Sequence, residues 1–223
     1  MEQTLSLELI TPVHHFCTSD VNTARTILDS ITTTAAFDFE TASRWTDEEK
    51  LFLKADLELI EDREQRRVIQ QQIDSDGLSH PSLVRVTHMS MATSARDGYV
   101  FIMDNEDILD YCMNWLVITN IRQIWHNASF DFKHIYHHTG QFPKLYEDSQ
   151  QLAKSLINHV ETFKANTQLK HLMGYAYGAW GLTEDYFNIS NLYDETLLLY
   201  AATDACATYS LWETMQHNLK EQP

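Results

Sequence analysis

Ala35-Ala36-Phe37-Asp38-Phe39-Glu40-Thr41 is the stretch on which the fold turns. Ala35 to Phe39 is apolar at four of five positions and reads as a short buried strand. Side chains two apart on a strand share a face. Asp38 and Glu40 therefore stand side by side at its end, while Phe37 and Phe39 point into the core. Two carboxylates so close repel each other, and a bound cation relieves that repulsion. A solvated strand end is the plainer reading of the same pattern.

Upstream of this strand, Ser19-Asp20 caps a helix in which Ala24, Ile27, Leu28 and Ile31 recur at helical spacing. Downstream runs a charged stretch from about Asp47 to Gln72, with Leu53, Leu57 and Ile60 on one face. It predicts one exposed amphipathic helix or a hairpin of two, ended by Gly77 and Pro81, and is treated as an insertion over about 46–80. Leu83–Ala92 and Tyr99–Met103 read as strands of a hairpin with Asp97-Gly98 at its turn. Then come a helix capped by Asp104 or Asn105, a strand at Ile121–Trp125, a helix from Ser129 to His138 closed by Gly140, and a short apolar step at Leu145-Tyr146. Asp148 caps a helix through Leu156; Gln168–Tyr175 and Asp194–Leu219 are the last two. Strands grouped early and then alternating with helices predict a single α/β domain, 1–223, built on a mixed sheet flanked by helices.

The chain has 223 residues, 43% of them hydrophobic, enough for one real core. Cys17, Cys112 and Cys206 are far apart and form no metal-binding pair, so buried reduced thiols are expected. With 16 Lys and Arg against 32 Asp and Glu, the formal net charge is −16. That argues against gripping a phosphate backbone by charge alone. An enzyme of nucleic acids this acidic would need divalent cations at its site, or a partner to hold the substrate. The opening Met1-Glu2-Gln3-Thr4-Leu5 lacks the basic segment of a signal peptide, and no apolar stretch approaches bilayer length. The expected setting is cytoplasmic, with no membrane partner.

Two further patterns answer the first. In His126-Asn127-Ala128-Ser129-Phe130-Asp131-Phe132 a strand gives way to a helix, and Asn127 and Asp131, four apart, are expected on one side of the helix start. Capping by Asn127 or Ser129 is the alternative. In Tyr200-Ala201-Ala202-Thr203-Asp204 the tyrosine and aspartate share a helix face, with small residues between them that permit close approach to the sheet. A half-buried core tyrosine and a surface aspartate would give the same spacing. Of the eleven histidines, His134 and His138 are four apart; without a third ligand nearby they are read as solvated or partly buried rather than metal-binding.

The order Asp-x-Glu, Asn-x-x-x-Asp, Tyr-x-x-x-Asp resembles the tyrosine subgroup of the DEDD 3′→5′ exonucleases. The phrase His-Asn-Ala-Ser-Phe-Asp is similar to the second exonuclease motif of family A DNA polymerases. The resemblance covers nearly all of the chain except the insertion, and it implies a ribonuclease-H-like fold. It also implies two divalent cations, Mg²⁺ or Mn²⁺, among Asp38, Glu40, Asp131 and Asp204, with Asp38 bridging and Asp131 on the second ion. Tyr200, with Glu40, would orient the attacking water, and Thr41 and Asn127 would contact the terminal nucleotide. Relatives carry an apolar wedge just after the first motif, where this chain has Arg44 and Trp45; Trp45 would stack on a base or pack the insertion. The implied activity is DNA hydrolysis from a single-stranded or frayed 3′ end to nucleoside 5′-monophosphates, in proofreading or single-strand degradation. A polymerase domain does not fit this length, so the expectation is a stand-alone nuclease, a proofreading subunit with a separate polymerase subunit as partner, or a fragment of a longer polymerase. The competing readings are ribonuclease D-like trimming of RNA 3′ ends and a non-catalytic exonuclease-like scaffold.

Overall fold

In the computed structural model the described residues are 14–74, 80–157, 167–177 and 191–221. Their strands are β1 (His14–Thr18), β2 (Thr34–Ser43), β3 (Val84–Ala92), β4 (Asp97–Ile102), β5 (Arg122–Trp125) and β6 (Tyr146–Asp148). They form one sheet in the order β1-β4-β3-β2-β5-β6. The β2–β3 and β3–β4 pairs are antiparallel; β1–β4, β2–β5 and β5–β6 are parallel. The helices are α1 (Val21–Ser30), α2 (Asp47–Leu59), α3 (Arg63–Ile73), α4 (Glu106–Ile118), α5 (Ser129–Thr139), α6 (Ser149–Ile157), α7 (Leu169–Tyr177) and α8 (Glu195–Glu221). The mixed α/β architecture with a helical insertion after the first motif's strand is the one expected. Among the described residues no helix is long and apolar enough to cross a membrane.

β2 lies inside the sheet, and its alternation divides two cores. Phe37 and Phe39 enter the larger one, under α1, α4 and α5, where both rings meet Trp125 at 5.4 Å between centroids, one stacked and one edge-on. Ala36 faces the other way and packs with Ile124 and Trp212 of α8. Asp38 and Glu40 share the parity of Ala36, so the strand aims them toward the α8 layer.

Several sequence expectations need correction. β1 has no sequence signal: His14 to Phe16 are exposed, and the strand exists through its parallel pairing with β4. The hairpin turn is not at Asp97-Gly98, which begin β4; it lies at 93–96, where the Ser94 hydroxyl accepts from the amides of Arg96 and Asp97 and donates to Asp97 Oδ2 at 2.7 Å. Gly98 has another task. A Cβ there would stand 3.0 Å from Ala202 Cβ and 3.2 Å from the Ala202 carbonyl oxygen, so its hydrogen admits α8 to the sheet. The charged stretch is the helix pair α2–α3, opened by a Thr46–Glu49 capping box. Leu53, Leu57 and Ile60 are half-buried, as is Ile69 of α3, while Lys50 and Ile73 are buried; Gly77 lies outside the described residues. Gly140 closes α5 in the left-handed conformation, φ 70°, as read. The three cysteines are free thiols, with Cys112 and Cys206 buried.

Candidate active site

β2 holds the first two carboxylates at a local irregularity. Its register with β3 shifts between Glu40 and Thr41, and two β3 hydroxyls pin the backbone there. Ser90 Oγ donates to the Asp38 carbonyl at 3.3 Å and Thr87 Oγ1 to the Glu40 carbonyl at 3.0 Å. α8 crosses this face and brings Asp204. Asp38, Glu40 and Asp204 each present a carboxylate oxygen within 4.8 Å of the others. Asp131 arrives from the first turn of α5. It is 1% exposed, and its Oδ1 accepts from the Phe39 amide, between Asp38 and Glu40, at 3.2 Å.

Tyr200, one turn before Asp204, is buried. Its hydroxyl accepts a hydrogen bond from Lys170 Nζ at 2.6 Å, and the ammonium lies 4.5 Å from the ring centroid. Lys170 comes from α7, and its charge also reaches Asp38. A lysine in Leu169-Lys170-His171-Leu172 carries no sequence signal of such a position.

Thr41 is half-buried just past the register shift. Asn127 does not share a helix face with Asp131, as spacing had suggested. It has φ 63°, in the left-handed region that asparagine tolerates, and α5 begins two residues later. Its side-chain oxygen accepts from Ser129 Oγ at 3.1 Å. Neither Asn127 nor Ser129 caps the helix; Ala128 is the cap residue and makes no side-chain bond. Asp148 substitutes across the sheet: its two oxygens accept from the Asn127 and Ala128 amides, both at 3.1 Å, while Oδ1 also accepts from Gln150 N and Gln151 N at the start of α6. The sequence showed only that second, capping task. Asp148→Ala should uncover these amides, lower stability by about 1–3 kcal/mol and loosen the turn that delivers Asp131. Thermal melting checks the first effect, and an unchanged melting temperature would refute it.

Trp45 is half-buried and lines a cavity with Val68, Gln71 and Gln72 of α3. His138 Nε2 bonds Asp110 Oδ1 at 2.7 Å, while His134 is buried with its Nε2 unpartnered.

Burial, then the neighbouring charge of Asp204, pushes the Asp38 carboxyl well above the ordinary carboxylate range; the Phe39 amide and the Lys170 ammonium pull it back in part. Burial and then Asp38 raise Asp131 likewise. This is the signature of carboxylates gathered with too little positive charge. Carboxylate oxygens at this spacing are the donors that hard divalent cations take, so the residues fit a Mg²⁺ or Mn²⁺ site.

Comparison with known proteins places this geometry in context. A sequence model of a 3′–5′ exonuclease family matches residues 79–220. No curated protein sequence matches the chain. Among solved structures, Brucella melitensis NrnC with bound Mg²⁺ superposes with a TM-score of 0.55 at 14% identity, over 93% of this chain and 80% of that one. The catalytic core of RRP6 from Trypanosoma brucei gives a TM-score of 0.61 at 12% identity, over 99% and 51% of the two chains. Escherichia coli RNase D, an exoribonuclease involved in structured RNA processing, gives 0.61 at 10% identity, over 93% and 46%. At these identities the likeness is one of fold.

Proposed function

The chain belongs to the 3′–5′ exonuclease family, and on that premise we propose that it removes nucleotides one at a time from a single-stranded or frayed 3′ end, DNA first among its substrates, releasing nucleoside 5′-monophosphates. The observation that carries this reading is the convergence of Asp38, Glu40 and Asp204 within 4.8 Å, with Asp131 bound to the backbone between the first two. Asp38, Glu40, Asp131 and Asp204 would hold two divalent cations. When bound, such ions supply the positive charge that neutralises the scissile phosphate and polarises the attacking water and the leaving 3′ oxygen.

The protein's own groups do the positioning. The Tyr200 hydroxyl, held by Lys170, lies on the same helix face as Asp204 and is placed to orient water with Glu40. Thr41, next to Glu40 on β2, and Asn127, at the turn before α5, are assigned to the terminal nucleotide. Enclosure of the site between β2, α5 and α8 favours an end that is already unpaired, since a paired terminus must first give up stacking and pairing. All four carboxylates are present, so a scaffold role has no support in the site residues. Proofreading beside a separate polymerase subunit in the cytoplasm is the proposed setting; trimming of RNA 3′ ends is the second reading, favoured by the exoribonucleolytic description of RNase D.

Lys170→Met should lower kcat by about 10- to 100-fold with little change in KM, because it frees the phenol without touching the substrate; Lys170→Arg should restore part of the loss. Equal kcat in all three proteins would remove Lys170 from the positioning role. The substrate class is read by digesting matched 5′-labelled DNA and RNA single strands with magnesium, with and without chelator. A ladder shortening from the 3′ end, on DNA and abolished by chelator, is expected. A ladder on RNA alone would install the second reading, and no ladder on either would end the enzyme assignment.

A further inference from the structure

His126 opens the motif that carries Asn127 and Asp131, yet the site as described leaves it without a task. It stands one residue past the end of β5, where the chain enters the left-handed turn at Asn127. Both of its ring nitrogens are engaged by residues distant in the chain. Nδ1 lies 2.8 Å from Ser149 Oγ at the start of α6, and Nε2 lies 2.9 Å from the Thr167 carbonyl oxygen just ahead of α7. Burial holds the ring below the ordinary histidine range, although the Thr167 bond and Asp148 pull it up. A neutral ring has one hydrogen, and a carbonyl oxygen can only accept. Nε2 therefore carries that hydrogen and Nδ1 is an acceptor. The Ser149 hydroxyl has one proton to share between Nδ1 and the Trp125 carbonyl, 3.1 Å away.

Thr167 lies three residues ahead of Lys170, less than one helical turn. α7 starts at once beyond it: the amides of His171 and Leu172 both donate to the Gln168 carbonyl, at 3.1 and 3.0 Å. Further along, Leu169, Leu172 and Met173 pack with Ala153 of α6 and with Ala207, Leu211 and Met215 of α8. That seam is apolar, and apolar contact is non-directional. It holds α7 against α8 without fixing how far α7 sits along the seam. A hydrogen bond does fix it, because its usual donor–acceptor distances span only about 0.5 Å. Gln150 Nε2 reaches the same Thr167 oxygen only at 3.4 Å. The position of α7 bears on the site through Lys170, whose Nζ donates to the Tyr200 hydroxyl at 2.6 Å. A slide of α7 by about an ångström would take the ammonium out of that range.

We propose that His126 is a positioning residue: donation from its Nε2 to the Thr167 carbonyl sets where α7 begins, and thereby places the Lys170 ammonium on Tyr200. This rests on the exonuclease reading above, in which Tyr200 orients water. One side chain then links the turn that delivers Asp131 to the helix that holds the phenol.

The test separates positioning from support of the fold. His126→Gln keeps a donor near the place of Nε2, whereas His126→Asn reaches only as far as Nδ1 and loses Thr167. All rates are taken well below each variant's melting temperature. In 3′-end hydrolysis of a 5′-labelled single strand with magnesium, His126→Asn should lower kcat about tenfold with KM within about twofold, and His126→Gln should stay within about threefold of the parent. In a chain already carrying Lys170→Met, His126→Asn should cost less than about twofold more, because the group it places is gone. In chelator, without turnover, amide hydrogen exchange in α7 should quicken in His126→Asn and keep its parental rate in His126→Gln. A loss that multiplies in full on Lys170→Met, a His126→Gln enzyme as slow as His126→Asn, or unchanged exchange in α7 overturns the assignment. Should His126→Asn fail to fold, His126→Gln decides: parental exchange in α7 with a near-parental rate supports the assignment, and a tenfold loss of rate overturns it. Hydrolysis by the parent with multiplied losses defeats this assignment alone; no hydrolysis by the parent defeats the exonuclease reading, and the assignment with it.

Discussion

Asp38→Ala abolishes 3′-end hydrolysis, with an expected loss of at least about a thousandfold in kcat, yet in chelator the variant melts no lower than the parent. The two halves have one cause. Asp38 shares its surroundings with Asp204 and Asp131, and its carboxyl holds a proton well above the ordinary range because burial and Asp204 oppose its charge. An acid whose pKa is raised on folding adds no penalty below its unfolded value, near 3.9. The penalty grows as pH rises from there through the folded value. Relative to Asp38→Ala or Asp38→Asn, the metal-free parent should therefore lose thermal stability on going from pH 4 towards neutrality. Burial lowers the pKa values of His88, His126 and His134, which push the other way in parent and variants alike and cancel in the difference. Manganese should raise the melting temperature of the parent and leave the variants nearly unmoved. Melting curves in chelator and in manganese across this range read both effects. A folded Asp38→Ala protein that degrades single strands at the parental rate would dismantle the site assignment. A parent that gains stability on the Asp38 variants from pH 4 to 7 in chelator would contradict the electrostatic account.

Gly98→Val is the second large effect, and it acts at a distance from the chemistry. The missing Cβ of Gly98 is what allows β4 to meet α8 at Ala202, which would stand 3.0 Å from it. The two nearest atoms are Ala202 Cβ and the Ala202 carbonyl oxygen, and the third, Cys206 Sγ at 3.3 Å, sits on the same helix, so turning one side chain does not clear the space. Relief requires a shift of α8 itself. Overpacking of this kind costs about 1–3 kcal/mol, and for a domain of this size each kilocalorie lowers the melting temperature by about 2–4 °C. Tyr200 and Asp204 flank Ala202 on the same helix, so the displacement separates Asp204 from Asp38 and Glu40. Activity should fall by more than the unfolded fraction explains, and residual activity measured well below the melting temperature exposes that excess. Gly98→Ala should show the same effects in smaller measure. A Gly98→Val enzyme of parental rate and stability would mean that α8 does not depend on this contact.

Much of this was legible in the residues alone because it depends on short-range geometry. Strand parity put Asp38 and Glu40 on one face and Phe37 and Phe39 on the other; helical spacing put Tyr200 with Asp204; Gly140 marked the end of α5. Where a partner distant in sequence decides, reading failed. β1 exists by pairing with β4, and the β3–β4 turn is set by the Ser94 bonds to Arg96 and Asp97, while Gly98 serves the contact with α8. Asn127 takes a left-handed backbone because Asp148, on another strand, accepts its amide and the next.

The sequence by itself determined which side chains were available for the site and which way each faced on its own strand or helix, since backbone periodicity is set residue by residue. Tertiary structure alone decided that Asp131 bonds the Phe39 amide and that Lys170 holds Tyr200. Those relations join segments tens of residues apart, and they arise only when burial of the two cores brings α5, α7 and α8 against β2.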